Sequence, residues 1–113
     1  MFAPIGLEAL DVEMLPRVQV GDGCTRIELP SRGGVRIWIV DMKPGSEWPL
    51  VDSHGGGGED VFVVSGEVIE GEARYGPGAF LKYGPHSRHR PRTEAGARLF
   101  GLNVQANGDG ASM

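Results

Sequence analysis

The chain has 113 residues, enough for one domain with one modest core. Hydrophobic residues at 40% and charged residues at 23% exclude a disordered or fibrous chain. The formal net charge of -4 argues against a surface that grips phosphate backbones, so no nucleic-acid partner is expected. Cys24 is the only cysteine, which excludes an intramolecular disulfide and a cysteine zinc cluster. No run of about 20 apolar residues exists, so no membrane span is expected. Residues 1–11 lack a basic region and carry Glu8 and Asp11, unlike a signal peptide, and a cytoplasmic location is expected.

Nineteen glycines and eight prolines, without a fixed period, punctuate short apolar runs and predict many turns between many short strands. Residues 1–24 form an N-terminal segment with a short strand over 14–20, placed at a sheet edge by Pro16. Helical spacing is limited to 7–15 and has no cap. A strand over 25–29 stops at Pro30 and the turn of residues 31–34. Residues 35–42 are the strongest strand, apolar on both faces and so buried on both. After the turn at Lys43-Pro44-Gly45, an extended piece over 46–52 leads to His54 and the glycine run 55–58. Strands follow over 59–64, 67–69, 72–75 and 79–83, each bounded by a glycine turn. A short segment surrounds His89, and the last strand covers 98–104. The strand spacing of about ten residues predicts an all-β fold, a small antiparallel sandwich or β-barrel. Residues 25–105 form that barrel, and 106–113 a flexible tail.

The three histidines, His54, His86 and His89, lie beside glycine-rich turns. His54 precedes Glu59 by five residues. Imidazole and carboxylate together suit divalent zinc, iron, manganese or nickel. If residues 88–92 are extended, Arg88, Arg90 and Arg92 share one face and His89 points to the other. Pro91 limits that strand, because it cannot donate to a central ladder. Glu59 shares parity with Val61 and Val63 and so points into the apolar interior. A buried carboxylate there needs a metal or an arginine as partner.

These residues resemble the cupins. In the first cupin motif His54 matches the second histidine, Glu59 the glutamate and Gly66 the closing glycine. Asp52 falls at the first histidine. In the second motif Gly78, then Gly84-Pro85-His86, then His89 match the spacing, with His89 at the metal-histidine place. Gly84, His86 and Thr93 replace the motif's proline, second glycine and final asparagine. The stretch 52–91 is most similar to the cupin domain of ChrR-like anti-sigma factors. The resemblance covers about 40 residues and implies a jelly-roll barrel with a metal site of His54, Glu59, His89 and Asp52. Two neutral imidazoles with Asp52 and Glu59 cancel a divalent charge and favour manganese or iron over copper.

Several features have a plainer reading beside the functional one. His86 lies three residues before His89 and cannot share its strand face, so a loop residue is expected. Glycines 55–58 are followed by a strand and no Gly-Lys-Ser/Thr, which argues against a phosphate loop. Arg88, Arg90, Arg92 and Arg98 are expected to pair with nearby acids rather than receive an anion. Trp38 and Trp48 are expected in the core or at a dimer contact, and Cys24 as a small buried apolar group. Glu47 or His86 is the available candidate base. The reading is a metal-binding cupin that acts on a small molecule, as a dioxygenase- or isomerase-like enzyme. Its alternative is a non-catalytic cupin that senses or binds a metal or ligand. A homodimer is expected, paired through sheet edges with the 1–24 segment at the interface.

Overall fold

The structure is a computed structural model that describes residues 1–54 and 56–105. Gly55 and the expected tail over 106–113 lie outside the described residues. The chain opens with a single 3-10 turn, Val12–Met14, capped by the Asp11 carboxylate, which accepts from the Glu13 N–H at 3.0 Å. Ten strands follow: β1 (Val18–Gly21), β2 (Cys24–Leu29), β3 (Val35–Met42), β4 (Asp52–Ser53), β5 (Glu59–Gly66), β6 (Val68–Glu70), β7 (Ala73–Tyr75), β8 (Phe80–Tyr83), β9 (Arg88–His89) and β10 (Ala97–Val104). All named pairs are antiparallel. A six-stranded sheet runs β1-β2-β3-β10-β5-β8, and two-stranded sheets pair β4 with β9 and β6 with β7. Bridges from Arg92 to Glu47 and to Ile69 tie the smaller elements together. The expected all-β antiparallel architecture is therefore present.

Strand positions follow the sequence reading, with bounds that differ by a few residues. The expected strand over 14–20 starts later, because residues 12–14 close the 3-10 turn first, and β1 is an edge strand. The extended piece over 46–52 reduces to a bridge at Glu47 and the short β4. The expectation for β3 holds only in its middle: Trp38, Ile39 and Val40 are buried, while residues 35–37 are half-covered.

The core sits on the inner face of the six-stranded sheet. Cys24, Trp38, Val40, Met42, Val61, Val63, Ala97 and Leu99 alternate inward, and Trp48 and Val68 join them. One glycine fixes the centre of this packing. Gly101 pairs with Trp38 across β3 and β10, and a Cβ on Gly101 would lie 2.2 Å from the Trp38 ring. The absent side chain is the space that the indole fills. The Trp38 ring N–H then donates to the Asn103 side-chain oxygen at 2.8 Å. Gly101→Ala is therefore expected to cost about 2 kcal/mol through overpacking, read as a lower urea midpoint. An unchanged midpoint would contradict this packing.

At the other end of the sheet an ion network joins β3 and β10 to the N-terminal segment. Arg98 donates two hydrogen bonds to Asp41, at 2.7 and 2.8 Å, and Arg17 donates a third at 2.6 Å. The Arg98 hydrogen bonds hold the Asp41 carboxyl below its ordinary range, against the upward push of burial and with help from Arg17. A carboxyl lowered on folding stabilises above its unfolded pKa of about 4, and the gain is lost as pH falls through the folded value. Asp41→Asn is expected to cost on the order of 1 kcal/mol at pH 7. That difference should fade in strong acid, measured by paired urea titrations.

Candidate metal centre

Four side chains meet where the small β4–β9 sheet faces the start of β5. Asp52 on β4 lies directly opposite His89 on β9. His54 follows β4 and is fixed by its N–H to the Ser87 carbonyl at 2.9 Å. Glu59 opens β5 and is flanked in the sheet by Tyr83 of β8 and Asn103 of β10. Gly57 and Gly58 let the chain turn tightly before Glu59. A Cβ on Gly57 would lie 1.7 Å from the Val104 carbonyl oxygen, and Gly58 holds a φ of 72°.

The donor atoms of Asp52, His54, Glu59 and His89 all lie within 4.8 Å of one another. His54 Nε2 is 3.6 Å from Glu59 Oε1. His89 Nε2 is 3.5 Å from Asp52 Oδ2 and 3.8 Å from Glu59 Oε1. Ligands about 2.1 Å from one ion stand about 3 Å apart as neighbours and about 4 Å apart when opposite. The spacing fits a single central ion. Burial strengthens the argument. The side chains of His54 and Glu59 are 0% exposed, and those of His89 and Asp52 are 7% and 8%. His54 Nε2, His89 Nε2 and Asp52 Oδ2 are buried without a hydrogen-bond partner among the described residues. Buried polar atoms left so are costly, and a cation at their centre would meet all three.

A second layer orients these groups. The Glu70 carboxylate lies 2.7 Å from His89 Nδ1 and also accepts from the Tyr83 hydroxyl at 2.7 Å. A proton held on Nδ1 leaves Nε2 bare toward the centre. Tyr83 stacks on the His89 ring at 4.1 Å between centroids. On the other side Asn103 donates to Glu59 Oε2 at 2.8 Å while accepting from Trp38. That chain of bonds fixes the carboxylate and turns Oε1 toward the two histidines.

Without a metal, the cluster divides its charge unevenly. Burial lowers His54, and the neighbouring His89 lowers it further, against Asp52 and Glu70. Burial also opposes protonation of His89, but the Asp52 and Glu70 carboxylates, with Glu59, outweigh it and push His89 up to about 9. Burial and the Glu70 carboxylate push the Tyr83 hydroxyl far above its ordinary value, so it remains a donor. His89 would have to give up its Nε2 proton to hold a cation at the centre.

The four residues expected from sequence are thus brought together. His86 is not: it is exposed, with a φ of 63° in the turn before β9. Glu47 is also absent from the cluster, since it is exposed and pairs with Arg90 at 3.2 Å. The structure therefore offers neither as a base at this centre. Arg90 and Arg98 follow the plainer expectation and pair with acids. Thr93, at the motif's asparagine place, is buried and accepts the Gly96 N–H at 3.0 Å, closing the turn before β10. Trp38, Trp48 and Cys24 belong to the core. Sequence reasoning missed Glu70, Tyr83 and Asn103. Asn103 had a signal, because it is the polar residue on the otherwise apolar inward face of its strand.

No protein-family model matches the chain, and no curated protein matches its sequence. Solved structures match its fold. A chain in the complex of Rhodobacter sphaeroides SigE with the anti-sigma ChrR aligns at a TM-score of 0.72 and 20% identity, covering 82% of this chain. This chain spans about half of it, 51%. An RmlC-like cupin from Shewanella frigidimarina aligns at 0.67 and 21% identity, over 85% of this chain and 88% of that one. An acetylacetone dioxygenase from Acinetobacter johnsonii aligns at 0.74 and 13% identity, over 100% of this chain and 89% of that one. The chain has the cupin fold.

Loss of the outer carboxylate gives a direct test of the second layer. Glu70→Ala is expected to weaken Mn²⁺ or Zn²⁺ binding 10- to 100-fold in calorimetric titration, with an unchanged circular dichroism spectrum. Unaltered affinity would show that Glu70 does not orient His89.

Proposed function

We propose that this chain is a metal-dependent small-molecule enzyme of the dioxygenase- or isomerase-like kind. Asp52, His54, Glu59 and His89 hold its divalent ion. The observation that carries this reading is the convergence of two imidazoles and two carboxylates on one point. The two carboxylates cancel a divalent charge, so the loaded centre is neutral before substrate arrives. The two carboxylates in the set favour iron or manganese, with zinc and nickel as the remaining candidates. When bound, the ion supplies a Lewis acid or, as iron, an oxygen-reactive centre. The chain's own residues contribute orientation and dryness. Glu70 and Tyr83 hold the His89 ring, Asn103 holds Glu59, and the surrounding strands keep bulk water from the centre. The likeness to a dioxygenase is one of fold and supports this reading only at that level. Residues 25–105 carry the activity in this proposal.

A second reading, a cupin that binds or senses a metal or ligand without catalysis, is favoured by one observation. The His54 and Glu59 side chains are wholly buried. The likeness to a chain of an anti-sigma complex supports the same reading.

Protein purified without chelator is expected to carry about one iron or manganese per chain by elemental mass spectrometry. His54→Ala and His89→Ala should each retain less than about a tenth of that metal. Full retention by His89→Ala would sink the ligand set. Proton relaxation of water around bound Mn²⁺ separates the two readings: an enzyme leaves an exchangeable water on the ion, whereas a sealed binding site does not.

A further inference from the structure

The inner face of the six-stranded sheet holds charge that the metal centre does not use. Strand alternation runs inward from Cys24 to Arg26 and Glu28 on β2, and from Trp38 back to Arg36 on β3. Register gives the same parity, since Arg26 lies opposite Val40 and Glu28 opposite Trp38, both core residues. Arg36 lies opposite Asn103, and Asn103 lies opposite Glu59 on its other side. Arg36 and the metal ligand Glu59 thus flank one residue of β10 on one face. Their main chains are two strand spacings, about 10 Å, apart.

One carboxylate, Glu28, serves both guanidiniums. Arg36 Nη2 donates to Glu28 Oε1, and Arg26 Nε lies 3.0 Å from the same oxygen. The Arg36 and Arg26 side chains are 17% and 25% exposed, while that of Glu28, at 45%, opens to solvent. Arg36 Nη1 and Arg26 Nε are buried without a hydrogen-bond partner among the described residues. The Arg26 contact is therefore an ion pair that lacks hydrogen-bond alignment. Arg98 on the outer face shows the contrast, with two of its nitrogens donating to Asp41. Buried donors without an acceptor are costly, and the inner pair carries one positive charge beyond that of Glu28.

We propose that Arg26 and Arg36 bind a carboxylate of the substrate, whose other end reaches the ion. The inference deepens the proposed function and rests on it for that far end. A guanidinium presents a fork of donors that matches the two oxygens of a carboxylate. The centre loaded with a divalent ion is neutral, so the arginine pair sets the charge of the molecule that enters. The ligand class is a small organic acid with a second oxygen donor a few carbon atoms away. A neutral ligand would leave both orphan donors and the surplus charge as they are.

Titration of the full chain, labelled with ¹⁵N-arginine, is the test, read from the arginine Nε–H signals by nuclear magnetic resonance. The probe is succinate, with dimethyl succinate as its uncharged control, on metal-free and Zn²⁺-loaded protein. Succinate should shift two signals, those that Arg26→Gln and Arg36→Gln each remove, and the ester should shift neither. Arg36→Gln should weaken succinate binding at least tenfold. Glu28→Gln releases both guanidiniums and should strengthen it several-fold, a gain that a damaged fold cannot produce. All three variants should still take up one Zn²⁺ per chain, and in wild type Zn²⁺ should tighten succinate about tenfold. Arginine signals that stay put, or that move equally with the ester, overturn the inference. So does a succinate affinity that Arg36→Gln and Glu28→Gln leave unchanged, or one that bound Zn²⁺ does not raise. A wild type that takes up no Zn²⁺ instead contradicts the proposed function, and the metal-free titration then judges the arginine site alone.

Discussion

Burying a carboxylate is costly unless an opposite charge or a set of donors meets it. This chain buries two, Asp52 and Glu59, within reach of the same two imidazoles. The local architecture serves that constraint. β4 and β9 are only two residues each, yet their register places Asp52 directly against His89. β5 begins at Glu59, and the glycines before it allow the close approach to Val104 that brings His54 back over the strand. The Asp52 and Glu70 carboxylates favour a proton on His89, which offsets part of that charge. A divalent cation would offset the rest.

The centre is also tied to the apolar core. Gly101 makes room for Trp38, Trp38 positions Asn103, and Asn103 positions Glu59. A packing vacancy in the middle of the sheet is thereby converted into the orientation of one carboxylate oxygen. On the opposite side Glu70 and Tyr83 perform the same service for His89. Glu59 and His89, which face the centre with one atom, are each held by a neighbour at another. Such double anchoring is what a metal site needs, because ligand geometry must survive without the ion.

The parts legible in the sequence were those set by local rules. Parity with Val61 and Val63 put Glu59 inward, and the alternation of Arg88, His89 and Arg90 put the histidine inward. Motif spacing placed Asp52 beside them. The second layer depends on register between distant strands. Glu70 falls at the glycine turn between the expected strands over 67–69 and 72–75, and nothing local says that its carboxylate reaches a residue on β9. Tyr83 looked like an ordinary strand end. His86 kept the motif's spacing but sits at a positive φ that carries it away from the cluster.

Crystals grown with Mn²⁺ and recorded across the manganese absorption edge test the central claim most directly. The account requires one strong anomalous peak about 2.0–2.3 Å from donor atoms of Asp52, His54, Glu59 and His89. A peak that touches two or fewer of these residues, or that lies elsewhere on the chain, would contradict it.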